Sequence, residues 1–224
     1  DGQLMERRLR RIQPSQLVRS SDPAPGGKRA PADTALVTGG LRGVGLRVGA
    51  YLLDEGRARR VVLVGRTAPR PADRAFVESL VSRGAEVVLC DVSEWNSVAS
   101  LPDASLIIHC AGAVDDQLMK QVTAARLSAV LKPKVAGARH LQRRYGATAR
   151  VLAFSSTSAL LGVAGQATYA AANAYLDELF KGDVVQWGGI GEVGMAVDLH
   201  IAPLNGERFI PVAAALRAVG TVLD

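Results

Sequence analysis

The stretch Ala35-Leu36-Val37-Thr38-Gly39-Gly40-Leu41-Arg42-Gly43-Val44-Gly45 constrains this chain more than any other. A short apolar run enters a turn rich in glycine, and an amphipathic helix to about Glu55 follows. Glycines let the backbone turn tightly and approach a pyrophosphate, whose charge is favoured by unpaired N–H groups and the positive end of the helix. A glycine pattern alone is a weak signal, but the strand before it and the helix after it supply the context that dinucleotide binding requires. The eight residues from Thr38 to Gly45 are therefore candidates for a phosphate cradle, the alternative being a simple tight turn.

The same alternation repeats downstream. Apolar strands are expected at Arg60 to Gly65, Ala85 to Leu89, Ser105 to His109, Val151 to Phe154 and Asp183 to Trp187, with a helix from Pro71 to Arg83. Continuous apolar strands alternating with helices predict an α/β fold with a doubly wound parallel sheet of Rossmann type and right-handed crossovers. Arg66 ends the second strand, twenty-one residues past Gly45. An acidic residue near this place holds the ribose 2′-hydroxyl of NAD, whereas arginine accommodates a 2′-phosphate. Arg66 argues for NADPH and Arg42 is a second candidate, with a solvated loop charge as the plain alternative for each.

Composition narrows the classes. The 224 residues are 48% apolar, enough for one sizeable core. No apolar run reaches the ~18 residues of a membrane span, and the arginine-rich start lacks the apolar region of a signal peptide, so a cytoplasmic, membrane-free protein is expected. Cys90 and Cys110 stand singly in apolar surroundings, which predicts core thiols and no metal site. Residues 1–30 carry seven Lys and Arg against Asp1, Glu6 and Asp22, four of the six net positive charges. Aromatics are only 4% and do not interleave with these charges, so nucleic acid is not the expected partner; an acidic protein fits equally well.

The chemistry is concentrated later. A β-rich run from Val151 ends in Ser155 and Ser156, a loop with Gly162 and Gly165 follows, and an alanine-rich helix carries Tyr169 and Asn173. These two are i and i+4 on one helix face, and Ser156 stands thirteen residues before the tyrosine. One hydroxyl can hold a carbonyl oxygen while the phenol protonates it. A buried tyrosine on a small-residue helix serving only packing is the competing reading.

The spacing of Ser156, Tyr169 and Asn173 resembles the short-chain dehydrogenase/reductase superfamily. Asparagine at tyrosine plus four, in Tyr169-Ala170-Ala171-Ala172-Asn173-Ala174, resembles the ketoreductase domains of modular type I polyketide synthases, where the lysine comes from an earlier helix. Thr123 begins a helix to Leu131, and Pro133 is expected to break it and start another. There Lys134-Val135-Ala136-Gly137-Ala138 resembles the family's lysine motif, so Lys134 is the implied amine and Lys132 the second choice. A cation within a few Å would lower the tyrosine's pKa from about 10.

Further motifs fall in the family's order. Asp91-Val92 resembles the adenine-edge contact, with a helix cap as the alternative for Asp91. His109-Cys110-Ala111-Gly112 is similar to the turn beneath the cofactor, with His109 expected in the core and Ala111 and Gly112 beside the cofactor. Val114-Asp115-Asp116 resembles the Leu-Asp-Asp fingerprint of B-type domains, valine replacing leucine, and solvated aspartates are the alternative. The absence of the A-type tryptophan, with Ala167 two residues before Tyr169, implies the non-epimerising B subtype. Gln166 and Trp187 complete the implied substrate set. Trp187 to Ala196 is similar to a family loop, with Ile190 in place of its second tryptophan. The connection from Asn173 to Trp187 and the segment 197–208, where the family has its lid, are both short, implying a trimmed lid or residues missing from this region. A final helix is expected from Pro211 to Leu223.

The resemblance also divides the chain. Residues 1–32 would be the end of a preceding structural subdomain, with a strand in Asp1 to Arg19 and a linker over Ser20 to Ala32, and residues 33–224 the catalytic subdomain; a disordered arm is the plain alternative for the first part. The implied activity is NADPH-dependent reduction of a β-ketoacyl thioester on acyl carrier protein. Tyr169 would be the acid and Ser156 would orient the carbonyl, while Lys134 and Asn173 would tune and relay the proton. Acyl carrier protein and the synthase's other domains are the implied partners. A reductively silent Rossmann module and a free-standing reductase of small carbonyl compounds are the alternatives.

Overall fold

A computed structural model describes residues 29–199 and 208–224. The expected strand in Asp1 to Arg19, most of the linker and most of the lid segment lie outside these residues.

Six strands form one parallel sheet: β1 (Ala32–Thr38), β2 (Ala58–Gly65), β3 (Ala85–Leu89), β4 (Leu106–His109), β5 (Arg150–Ser156) and β6 (Val184–Trp187). Their spatial order is β3-β2-β1-β4-β5-β6, the doubly wound arrangement expected, in which the order reverses between β1 and β4 and opens a crevice beyond the carboxyl ends of the strands. Alternate strand residues feed two cores. Val37, Leu63, Ile108 and Leu152 pack on one face with Leu46 of helix α1 (Gly43–Asp54), Leu80 of α2 (Pro71–Val81) and Val219 of α9 (Val212–Leu223). Leu36, Val62, Ile107 and Ala153 pack on the other with Val98 of α3 (Trp95–Ala99), Leu141 of α5 (Gly137–Tyr145) and Leu176 of α7 (Ala167–Leu179). Each fully buried Leu or Ile contributes ~1.5–3 kcal/mol relative to exposure. Because both faces are covered, the strands read as unbroken apolar runs rather than as alternating ones.

Several boundaries shift by one or two residues, and two differences are larger. β1 starts at Ala32, three residues before the apolar signal, because Ala32 and Thr34 pair with Ala58 and Arg60, and Ala32 packs at the margin of the core that includes Ala58. It therefore reaches the last residue of the expected linker. Pro133 does not start a new helix. Helix α4 (Ala124–Leu131) passes through a π-helical turn, Lys132–Ala136, directly into α5, with helical dihedrals at both junctions. The wider turn absorbs the proline without breaking the rod. The remaining short helices are α6 (Ser158–Leu161) and α8 (Met195–Asp198), and a 3₁₀ turn spans Met119–Gln121. No helix among the described residues is long and apolar enough to cross a membrane, and no group of three or more metal-ligating side chains occurs among them.

Candidate active site

A cleft of about 730 Å³ lies beyond the carboxyl ends of the strands, where the strand order reverses. At its deep end Ser156 leaves β5, Tyr169 stands in the first turn of α7, and Lys134 enters from the π-helical turn; all three line the cleft.

Lys134 is 2% exposed, and its Nζ donates to the Phe154 carbonyl at 2.8 Å while lying 5.9 Å from the Tyr169 ring centroid. Its stem passes where a side chain on residue 112 would be: a Cβ on Gly112 would come within 2.9 Å of the lysine Cε. Burial pulls the amine down to about 8, against the opposing pull of Cys110 and Asp177. Lys132, two residues earlier, is exposed and does not reach the cleft.

Tyr169 differs from the sequence expectation. Burial pushes its phenol above the ordinary value; the nearby Asn173 side chain opposes this, the Asp116 carboxylate adds to the rise, and the nearby Ser156 hydroxyl opposes it. The lowering expected from Lys134 does not prevail: burial is the dominant cause, and the amine's hydrogen bond goes to the Phe154 carbonyl rather than to the phenol. The phenol is therefore protonated near neutral pH, which suits an acid. Ser156 Oγ accepts from the backbone N–H of Ser158 at 3.2 Å and from its hydroxyl at 3.0 Å. Ser158 is 2% exposed and also lines the cleft.

Asn173 is fully buried and does not line the cleft. Its Nδ2 donates to the Tyr169 carbonyl of its own helix at 2.8 Å, and its Oδ1 has no hydrogen-bond partner. Being i+4 brought it to the tyrosine, but one turn deeper.

The other end holds the glycine turn. Gly39, Leu41, Arg42, Gly43, Val44 and Gly45 line the cleft, but Thr38 and Gly40 do not. Thr38 Oγ1 instead lies 2.7 Å from His109 Nδ1 and accepts from the Ala111 N–H at 3.3 Å, fastening β1 to the end of β4. His109 is fully buried, and burial with the nearby Lys134 pulls it down to about 3, so it is a neutral core residue. Gly40 turns its N–H onto the Val64 carbonyl at 3.0 Å. Gly39 has φ +68, and a Cβ there would stand 3.0 Å from the Ala111 nitrogen, closing space beside the turn.

Arg66, Asp91, Val92, Ala111 and Gly112 also line the cleft. Burial pushes the Asp91 carboxyl up, but the N–H and hydroxyl of Ser93 and the nearby Arg66 and Lys132 hold it below the usual range. Arg70 and Asp198, which no sequence motif singled out, form an ion pair at 3.0 Å between the start of α2 and the end of α8 and line the cleft. They pair over 128 residues, a separation that leaves no local sequence signal. Ser158 had one, the hydroxyl run Ser155 to Ser158, but its partner was not legible.

The two aspartates of the substrate loop part company. Asp116 lines the cleft and accepts from Gln166 Nε2 at 2.9 Å, while Asp115 turns away to Arg126 of α4 at 3.1 Å. The Gln117 N–H donates to the Gly165 carbonyl at 2.8 Å, tying this loop to the one before α7. Val114 and Gln166 line the cleft; Trp187 does too, but it is 8% exposed, with its ring 5.2 Å from that of Phe154, so most of it belongs to the core.

The residues fit a nicotinamide dinucleotide. A glycine-rich turn that a helix follows lines the cleft, Arg42 and Arg66 line it with the turn, and the hydroxyls of Ser156 and Tyr169 line it too.

Comparison with known proteins finds relatives over most of the chain. The KR domain profile matches residues 33–203. The spectinabilin polyketide synthase system protein NorB of Streptomyces orinoci is 39% identical over 197 residues, which is 78% of this chain and 9% of that protein. The 6-methylsalicylic acid synthase of Penicillium terrestre is 34% identical over 209 residues, 81% of this chain and 12% of that protein. Among solved structures, the ketoreductase from the first module of phoslactomycin biosynthesis in Streptomyces sp. HK803 superposes with a TM-score of 0.78 at 30% identity, covering 91% of this chain and 53% of that one. An A1-type ketoreductase gives 0.77 at 32% identity, covering 91% and 48%. The chain thus spans about a tenth of these curated relatives and about half of these solved ketoreductases.

Proposed function

The chain belongs to the KR domain family, the ketoreductases of polyketide synthases, and from that premise we propose that it reduces a β-ketoacyl thioester carried on acyl carrier protein to the β-hydroxyacyl thioester, using NADPH. One observation carries this reading: Ser156, Tyr169 and Lys134, distant in sequence, line one cleft with the glycine turn at its other end.

When bound, the dinucleotide supplies a hydride to the β-carbon. The chain supplies position, a proton and charge. Backbone N–H groups of the glycine turn and the arginines Arg42 and Arg66 hold the phosphates, Arg66 taking the 2′-phosphate. Asp91 and Val92 take the adenine edge, and Ala111 and Gly112 floor the cleft. Ser156 donates a hydrogen bond to the carbonyl oxygen and holds it against Tyr169 Oη. The Tyr169 hydroxyl breaks its O–H bond and gives the proton to that oxygen as the C–O double bond becomes single. Lys134, held by the Phe154 carbonyl, offers positive charge beside the phenolate left behind. Asn173 supports this geometry from beneath the tyrosine, through the α7 backbone.

B-type stereochemistry belongs to the same reading. Asp116 and Gln166, hydrogen-bonded across the two loops at the cleft, would steer the thioester in from one side, with Val114 beside them and Asp115 anchoring the loop to Arg126. Residues 1–32 would end a structural subdomain and residues 33–224 form the catalytic one, working beside the synthase's other domains.

NADPH oxidation with a β-keto thioester and with a simple ketone tests the assignment. Turnover of the thioester with one hydroxyl enantiomer as product is expected. Turnover of the ketone alone would favour a free-standing reductase, and none with either a silent module.

A further inference from the structure

Ser156 Oγ has one proton and two acceptor sites, like any hydroxyl. Two donors to that oxygen come from one residue. The Ser158 N–H points at it from 3.2 Å and the Ser158 hydroxyl from 3.0 Å. Ser158 is 2% exposed, so water does not compete for its hydroxyl, and the backbone N–H cannot turn away. The arrangement arises because the chain leaves β5 at Ser156 and enters the short helix α6 at Ser158, folding residue 158 back over residue 156.

We propose that Ser158 is a positioning residue for carbonyl reduction: its two hydrogen bonds fill the acceptor sites of Ser156 Oγ and leave Ser156 as a pure donor toward the carbonyl oxygen. The inference rests on the ketoreductase reading. A serine hydroxyl beside a tyrosine hydroxyl has two arrangements. If Ser156 accepts from Tyr169, the phenolic proton is held by the wrong oxygen and the carbonyl receives no hydrogen bond from the serine. If Ser156 cannot accept, its one proton goes to the carbonyl oxygen and the tyrosine's proton is free to pass to the same oxygen. Occupying both lone pairs of Ser156 selects the second arrangement before substrate arrives.

The test uses Ser158→Ala, which removes the hydroxyl and keeps the N–H, and Ser158→Thr, which restores a hydroxyl. With a β-keto thioester, Ser158→Ala should lose about tenfold in kcat, the scale of one oriented hydrogen bond, with the KM for thioester and the Kd for NADPH nearly unchanged. Freed to accept, Ser156 would stabilise the neutral phenol. The falling limb of the pH–rate profile, where the acid loses its proton, should therefore move to higher pH. Ser158→Thr should recover most of the rate and the original limb. A kcat equal to wild type would overturn the proposal, as would a loss with an unmoved limb that threonine does not repair, since that pattern is packing alone. The wild type is the separate control, because its inactivity toward every β-keto thioester would sink the ketoreductase reading instead.

Discussion

The two ends of the cleft are built on opposite principles. At the Tyr169 end the polar groups are few and largely buried, so the low dielectric moves their acidity: Lys134 falls to about 8 and the phenol rises. At the arginine end Arg42, Arg66 and Arg70 stand toward solvent, and the Arg70–Asp198 pair is more than a third exposed on both sides. Exposed pairs contribute little, with a median of ~0–1 kcal/mol. Burial makes a few groups reactive, whereas exposed charge selects and holds an anion without altering its own chemistry. Substitutions at the buried end should therefore change rate or stability, and those at the exposed end should change cofactor affinity.

The largest effect is expected from Tyr169→Phe, which should cut kcat at least ~100-fold, the general-acid contribution, while the Kd for NADPH measured by fluorescence stays within about twofold. A parallel loss of cofactor binding would erase the contrast between the ends.

Next comes Lys134. Below pH 8 its folded and unfolded forms are both charged, and the burial penalty is carried in full. Between about 8 and the ordinary 10.5 the folded amine is neutral while the unfolded one still holds its proton, so stability rises with pH across that window. Lys134→Met lacks this component. Denaturant titrations should find the variant more stable than wild type at pH 7, by up to ~3 kcal/mol less the lost hydrogen bond to Phe154. The gap should shrink by pH 9.5, and one that is constant or widening would refute burial as the cause.

At the exposed end, Arg66→Asp should lower the preference for NADPH over NADH by about tenfold or more and leave saturated turnover nearly intact. A wild type using both cofactors equally would remove the role given to Arg66. The smallest effect belongs to Asp198→Asn, about twofold in the KM for NADPH and fading with added salt. A change in kcat there would mean that the exposed pair reaches the chemistry.

The same contrast separates what the sequence makes legible from what it does not. Strands and the glycine turn are local: apolar runs such as Val61 to Val64 can lie only in a sheet covered on both faces, and Arg66 follows from counting. Burial and partner choice are not local. The i, i+4 spacing brings Asn173 to Tyr169 but does not reveal that it ends beneath the cleft. Asp115 and Asp116 look equivalent in the chain, yet adjacent side chains in an extended loop point apart, one to Arg126 and one to Gln166. Pro133 reads as a break because proline removes a donor, and only the packed helix shows that a π-helical turn accommodates it. Thr38 sits at the cradle's edge in sequence, but the neighbouring strand claims its hydroxyl through His109.

Isotope transfer addresses the central claim most directly. With saturating NADPH carrying deuterium at both C4 positions of the nicotinamide and a β-ketoacyl thioester, mass spectrometry should find one deuterium on the β-carbon of the wild-type product, and almost no labelled product from Tyr169→Phe over the same time. A product without deuterium, or equal labelling by the two proteins, would contradict the assignment of the chemistry to the buried end.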